Sequence, residues 1–287
     1  MRIAHFTAGT VGAGHLAHGV AVQRGLARAG FSGDFRIFGP PIDFPAAERF
    51  GYQPVPIDPL QVTNPFEAPD TELARVLADF APELLVVDMF WAPVMYLLPL
   101  PGCVHWLLVR KAPDNWLEGN EYAPFDPSPY ARIIAFEPAE HPHLTDHIEP
   151  VVICNPDECR PPDALRTLLA VPDDKRLAVV THAGAAGELA DLQTDEDVED
   201  TVVARFDLRD AAAPFPAAEW LGGADRIYSA AGYNSFWEAK TLGYYDRTRF
   251  TAFGRRIDDQ QWRLDACADY VPADNGADQL ARMILAG

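Results

Sequence analysis

The sequence predicts an α/β protein of two Rossmann-like domains, and three observations carry that prediction. The chain has 287 residues, enough for two α/β cores and too many for one small one. Short apolar runs alternate with helix-period segments from the first residue, the pattern of a parallel sheet with crossover helices. Three times a strand-like run passes through glycines into a helix, at 9–15, 182–188 and 231–239. The junction at Cys154-Asn155-Pro156 divides the chain into an N-terminal unit, 1–156, and a second unit, 157–287.

In chain order, Arg2–Thr7 reads as the first strand, followed by a glycine-rich turn and a helix over 15–29. Leu16, Val20, Val22 and Leu26 give that helix an apolar side. Arg24 and Arg28 suit the negative end of its dipole, and Gly30 suits a left-handed cap. Residues 35–38 read as a second strand, 71–80 as a helix stopped by Pro82, and 84–87 as a buried strand closed by Asp88. Strands at 104–109 and 132–136 follow, and the proline-rich loops 54–69 and 112–129 have the length of functional loops. In the second unit, Pro161-Pro162 starts a helix over 163–170. Strands at 177–181, 201–206 and 226–230 come next, then a helix ending at Gly243 and a helix-like segment over 278–285.

Composition excludes several function classes. The net charge is −19, from 23 basic and 42 acidic residues, so most of the surface repels nucleic acid. A small phosphate ligand in a local basic pocket remains compatible with that charge. Cys103, Cys154, Cys159 and Cys267 show no disulfide spacing, and Cys154/Cys159 lack a second pair to complete a zinc site. Residues 84–109 are apolar almost throughout. Asp88, His105 and three prolines mark them as two buried strands, not a membrane span. Met1–Phe6 enters a strand with no leader pattern, so the expected location is cytoplasmic, with peripheral membrane contact left open. The acidic run 195–200 reads as a solvated loop. So does 140–147, where His143 and His147 would share a face only if a helix formed. No resident metal is expected.

The chemistry is concentrated in the glycine loops. Glycines 9, 12 and 14 let backbone approach a ligand at a helix N-terminus, where unpaired N–H groups favour anions. Gly12-Ala13-Gly14-His15-Leu16-Ala17 matches a dinucleotide fingerprint. An acidic residue at the end of the second strand is missing, however: Asp34 precedes that strand. No nicotinamide cofactor is therefore expected. His15 is placed either to take a proton from a hydroxyl or simply to cap its helix. Asp88 and Arg110, each at a strand end, face the crevice where α/β ligands bind, as acceptor contacts or as salt-bridge partners. In the third loop Ser235-x-x-Glu238 has capping-box spacing. The same geometry would also turn Gly232, Asn234 and Ser235 toward a phosphate and Glu238 toward a ribose.

Taken in order, these loops resemble the two-domain (GT-B) glycosyltransferases, above all the family that adds N-acetylglucosamine to the peptidoglycan lipid precursor. The resemblance rests on Gly12-Ala13-Gly14-His15, Cys154-Asn155-Pro156, His182–Gly187, Ala231-Gly232-Tyr233-Asn234-Ser235 with Glu238-Ala239, and Asp259-Gln260-Gln261. It implies two Rossmann-like domains facing a central cleft; this chain departs from the family in a shortened C-terminal domain and in ending at Gly287 with no long terminal helix expected to cross back onto the first domain. It implies a catalytic role for His15; Gly12 and Gly14 of the first loop, with Asp88 and Arg110 at their strand ends, are the acceptor-side candidates. It implies donor binding by Gly232, Asn234, Ser235, Glu238, Gln260 and Gln261, and Gly184 and Gly187 of the second glycine loop are further donor-side candidates. The activity implied is inverting, metal-independent transfer from a nucleotide diphosphate sugar, uridine-based, to a small-molecule or lipid-linked acceptor. A non-catalytic binding or scaffold protein and a sugar-nucleotide epimerase are the other readings of the same cleft.

Overall fold

Two separate parallel sheets organise the chain in the computed structural model. It describes residues 1–9, 14–57, 66–120, 123–182, 184, 187–192, 194, 199–207, 210 and 213–287. In the first unit, β1 (Arg2–Thr7) leads to α1 (Gly14–Arg28), then β2 (Asp34–Gly39) and β3 (Tyr52–Pro54). Next come α2 (Glu72–Phe80), β4 (Leu84–Asp88) and β5 (Val104–Val109). A small ribbon, β6 (Gly119–Asn120) with β7 (Ala123–Pro124), precedes β8 (Arg132–Ala135) and β9 (Asp146–His147). The sheet order is β3-β2-β1-β4-β5-β8-β9, with every pairing parallel.

Period-two alternation between two buried faces explains why residues 84–87 of β4 are all apolar. On β4, Leu84 and Val86 face the core shared with α1, while Leu85 and Val87 face the core under α2. Both faces are covered by helices, so neither needs polar residues. On α2, Leu73, Leu77 and Phe80 turn inward at helical spacing, and the Thr71 hydroxyl accepts the Ala74 N–H at 3.1 Å to start the helix. The apolar stretch 84–109 forms β4 and β5, as predicted. Among the described residues no helix is long and apolar enough to cross a membrane.

The second unit runs through α3 (Pro162–Leu168), β10 (Arg176–His182), a single turn α4 (Glu188–Asp191), β11 (Thr201–Asp207) and β12 (Arg226–Ala230). It continues with α5 (Tyr233–Thr241), β13 (Thr248–Thr251), α6 (Gln260–Ala266) and α7 (Gly276–Ala286). Its four parallel strands are ordered β11-β10-β12-β13. Strand order therefore reverses once in each sheet, beside β1/β4 and beside β10/β12. Such reversals open a crevice at the carboxyl ends of the strands.

One expectation is corrected. The chain does carry a terminal helix that crosses back: α7 packs on α1, burying Ala277, Leu280, Ala281 and Ile284 in the core that holds Val20, Val22 and Leu26. The Arg28 guanidinium donates to Asp278 at 2.7 Å and to Glu158 at 2.9 Å, fixing the angle. Small residues make this contact close: a Cβ on Gly25 would lie 2.4 Å from the Ala277 carbonyl oxygen. Gly25→Ala is expected to cost about 1–3 kcal/mol by overpacking, read as a lower Tm in circular dichroism. A Tm equal to wild type would show that α7 docks elsewhere.

Candidate functional site

The first crevice holds a histidine pair on one carboxylate. Parallel register places Thr7 of β1 opposite Asp88, the last residue of β4. Across the glycine loop, His15 sits in the first turn of α1 with Nδ1 2.9 Å from Asp88 Oδ2. His18, three residues on and so on the same helix face, places its own Nδ1 3.0 Å from the same oxygen. Gly9 is required here, because a Cβ would lie 2.0 Å from the His15 ring. Asp88 is fully buried. Burial opposes its charge, yet His18 and His15 outweigh it and hold the carboxyl well below the ordinary carboxylate range. An ionised carboxylate only accepts, so both rings donate Nδ1–H to it, which leaves Nε2 as the ring nitrogen turned away from Asp88. Asp88 thus backs a histidine, and its burial removes it from the acceptor surface where it was expected.

Arg110, the other acceptor-side candidate, forms the salt bridge that was its alternative reading, with Asp258 of the second unit. Asp258 also pairs with Arg263 at 2.6 Å, and Arg263 in turn pairs with Glu137 at 2.9 Å. Burial raises Asp258, but Arg110 and Arg263 prevail and drive it far below the usual range.

The second crevice is built from the other two loops. His182 ends β10, and its Nε2 lies 2.7 Å from Glu188 Oε2, which also accepts from Arg255 at 2.5 Å. A Cβ on Gly184 would lie 2.2 Å from His182 Nε2, so the glycine makes room for this pair. Gly187, with φ +95°, turns the chain into α4. Gly232 precedes the first turn of α5 in extended backbone, and no side chain caps that helix. The capping box suggested by Ser235-x-x-Glu238 is not formed. The helix starts two residues earlier, leaving Ser235 within its first turn and Glu238 deeper. The Asn234 amide donates to the Gly14 carbonyl at 2.9 Å, tying the two glycine loops together across the domains.

These groups share one interdomain cavity of about 310 Å³, lined among others by His15, Phe90, Arg110, Asn234, Arg255 and Gln260. Gly14, Gly184, Gly232 and Ser235 border it as well. A narrower space of about 70 Å³ adjoins it beside Ser235 and Glu238. Burial first, then the Cys159 sulfur, pushes Glu238 up to about 8. The paired glutamines separate. Gln260 is buried, accepting the Phe253 N–H at 2.9 Å, whereas Gln261 is exposed and bonds Asp265 at 2.9 Å, one turn along its own helix. Adjacent helical residues point about 100° apart, so only one of the two reaches the cavity. Gln261 lines a neighbouring depression with Asp259 and Arg256. Gly12 and residues 195–198 of the acidic run lie outside the described residues.

Sequence reasoning missed His18, Arg255 and the Glu137–Arg263 pair. His15-x-x-His18 is a one-turn spacing that carried the signal, as did the Arg255-Arg256 doublet in so acidic a chain.

The Glu238 shift has a measurable consequence. Its ordinary value is 4.5 and its folded value about 8, so its contribution to stability is complete below 4.5 and is lost as pH rises through about 8. Glu238→Gln is expected to gain Tm relative to wild type between about pH 5 and pH 9. A constant difference across that range would place the Glu238 carboxyl in water.

No family model matches the chain, and no curated protein matches it in sequence. Its structure, however, is similar to several solved glycosyltransferases. Spinosyn forosaminyltransferase SpnP superposes with TM-score 0.57 at 16% identity over 99% of this chain and 89% of that one. Phytolacca americana UGT2, complexed with UDP-2fluoro-glucose and pterostilbene, gives 0.54 at 13% identity over 99% and 89%. The Streptomyces sp. SF2575 glycosyltransferase gives 0.53 at 14% identity over 99% and 90%. The chain has the GT-B fold. At these identities the likeness concerns architecture: two Rossmann-like domains with one cleft between them.

Proposed function

We propose that the chain is a glycosyltransferase that moves a sugar from a nucleotide diphosphate sugar to an acceptor hydroxyl by inverting displacement. One observation carries the reading. A histidine with a free Nε2, backed by an ionised buried Asp88, opens into the same cavity as the uncapped N-terminus of α5 and Arg255. The first group suits a hydroxyl losing its proton, and the second suits a diphosphate gaining charge.

In this reading the acceptor oxygen attacks the anomeric carbon from the His15 side and its proton passes to Nε2. The carbon–oxygen bond to the diphosphate breaks with its electron pair on the phosphate oxygen, where the α5 amides and Arg255 stabilise it. Glu238, beside the narrower space, accepts from the ribose. UDP, the nucleotide in the Phytolacca complex, is the first donor base to test. The Phe90 and Ile257 walls suit an acceptor with an apolar body, small or lipid-linked.

The test is a thermal-shift panel of nucleoside diphosphates, their sugars and NAD. A ligand at a hundred times its Kd stabilises the native state by about 2.7 kcal/mol, a shift of several degrees. The expected result is a shift with one diphosphate base, lost in Glu238→Ala and kept in His15→Ala. A shift with no turnover over a broad acceptor panel would favour a scaffold. Conversion of the donor without acceptor would favour an epimerase, and a shift only with NAD would overturn the transferase reading.

A further inference from the structure

We propose that His18 is a positioning residue for His15: by sharing the Asp88 carboxylate, it sets the tautomer and basicity of the histidine that faces the cavity. The inference rests on the transferase reading for its consequence, but its geometry stands alone. Both Nδ1 atoms approach one oxygen, Asp88 Oδ2, at 2.9 and 3.0 Å, while Asp88 Oδ1 is buried with no partner. The second histidine therefore divides a single acceptor with the first instead of occupying the spare one.

His18 is not a base in its own right. Its Nε2 is buried and unpartnered, and its ring is held edge-on by Phe136 at 5.2 Å and Tyr233 at 4.8 Å. Burial keeps it neutral, and the same burial keeps His5, which lies 3.9 Å from the same oxygen, down at about 4. The other titratable groups facing the pair are Arg110, after β5, and Tyr233, on α5. The carboxylate thus meets one N–H that never leaves it, from His18, and one that belongs to the working ring.

In the proposed step the acceptor oxygen bonds to the anomeric carbon, the bond to the diphosphate breaks, and the acceptor proton ends on His15 Nε2. The resulting imidazolium is stabilised by Asp88. With His18 also donating to that oxygen, the stabilisation that Asp88 gives the His15 imidazolium is moderated. Without His18, the whole carboxylate charge falls on His15.

The experiment follows the His15 ring by NMR on the full-length protein with ring-¹⁵N histidine, against pH. His18→Gln carries its amide where Nε2 lies and cannot donate to Asp88, whereas His18→Asn carries it where Nδ1 lies and can. The expected result is a rise of about one pH unit in the His15 midpoint for Gln, with Asn restoring the wild-type value. His18→Leu serves as a second donor-free variant if Gln fails to fold. Equal midpoints in donor-free, Asn and wild-type proteins would overturn the proposal. The readout uses no substrate, so its failure leaves the transferase reading standing. An intact shift without turnover of UDP-glucose and its relatives would count against the transferase reading alone.

Discussion

His15→Ala is expected to lower turnover by on the order of 10²–10⁴-fold while nucleotide affinity stays within a factor of about two. The size follows from the role: a positioned base is present only in the step where the acceptor loses its proton, so its loss falls on kcat. Asp88→Asn should fall in the same range for a different reason. The amide introduced by that substitution can donate to Nδ1, which favours the opposite ring tautomer and puts the proton on the nitrogen that must be free. The two effects should not add, because both disable one base; the double variant is expected to resemble either single one. Steady-state kinetics with the donor identified by thermal shift would measure all three. If His15→Ala lost binding and kept kcat, His15 would be a donor contact, and the proposed assignment of the two crevices would be reversed.

The second large effect concerns the base of the cleft. Arg263 and Glu137 are both almost wholly buried and lie on different domains. The Glu137 carboxylate accepts from the Arg263 guanidinium at 2.9 and 3.2 Å, from the Trp237 indole N–H at 2.9 Å and from the Lys111 backbone N–H at 2.6 Å. Arg263→Met would leave the buried Glu137 carboxyl without its cation, at a cost of about 3–5 kcal/mol. For a chain of this size that should lower Tm by on the order of ten degrees. The pair itself contributes less than its breakage costs, because desolvation offsets much of the attraction. Arg263→Met combined with Glu137→Gln should therefore recover a substantial part of the loss. Scanning calorimetry on the three variants decides this. A single variant within about 1 kcal/mol of wild type would mean that water reaches the pair.

Both effects depend on residues far apart in the chain, and this separates what was legible in the sequence from what was not. Strands such as Arg2–Thr7 and Arg226–Ala230 could be read because they are short apolar runs bounded by glycine or proline. α1 could be read because its apolar spacing and Gly30 are local signals. Where local signals competed, they misled. Ser235-x-x-Glu238 has capping-box spacing, yet Gly232 takes the cap position and the helix begins at Tyr233, soon after the strand ends at Ala230. Gln260-Gln261 reads as a pair, yet the pitch of α6 parts them.

By itself the sequence determined an α/β chain with two parallel sheets, three glycine turns and a histidine at the mouth of the first. Each follows from periodicity, steric freedom or capping within a few residues. Only the tertiary structure decided that Asp88, 73 residues from His15, serves two histidines, that Glu137 meets Arg263 across 126 residues, and that α7 closes back on α1. The physical reason is common to all three. A charge or a small residue is paired by strand register and helix packing, which depend on the whole sheet, and local propensity holds no record of what will face it.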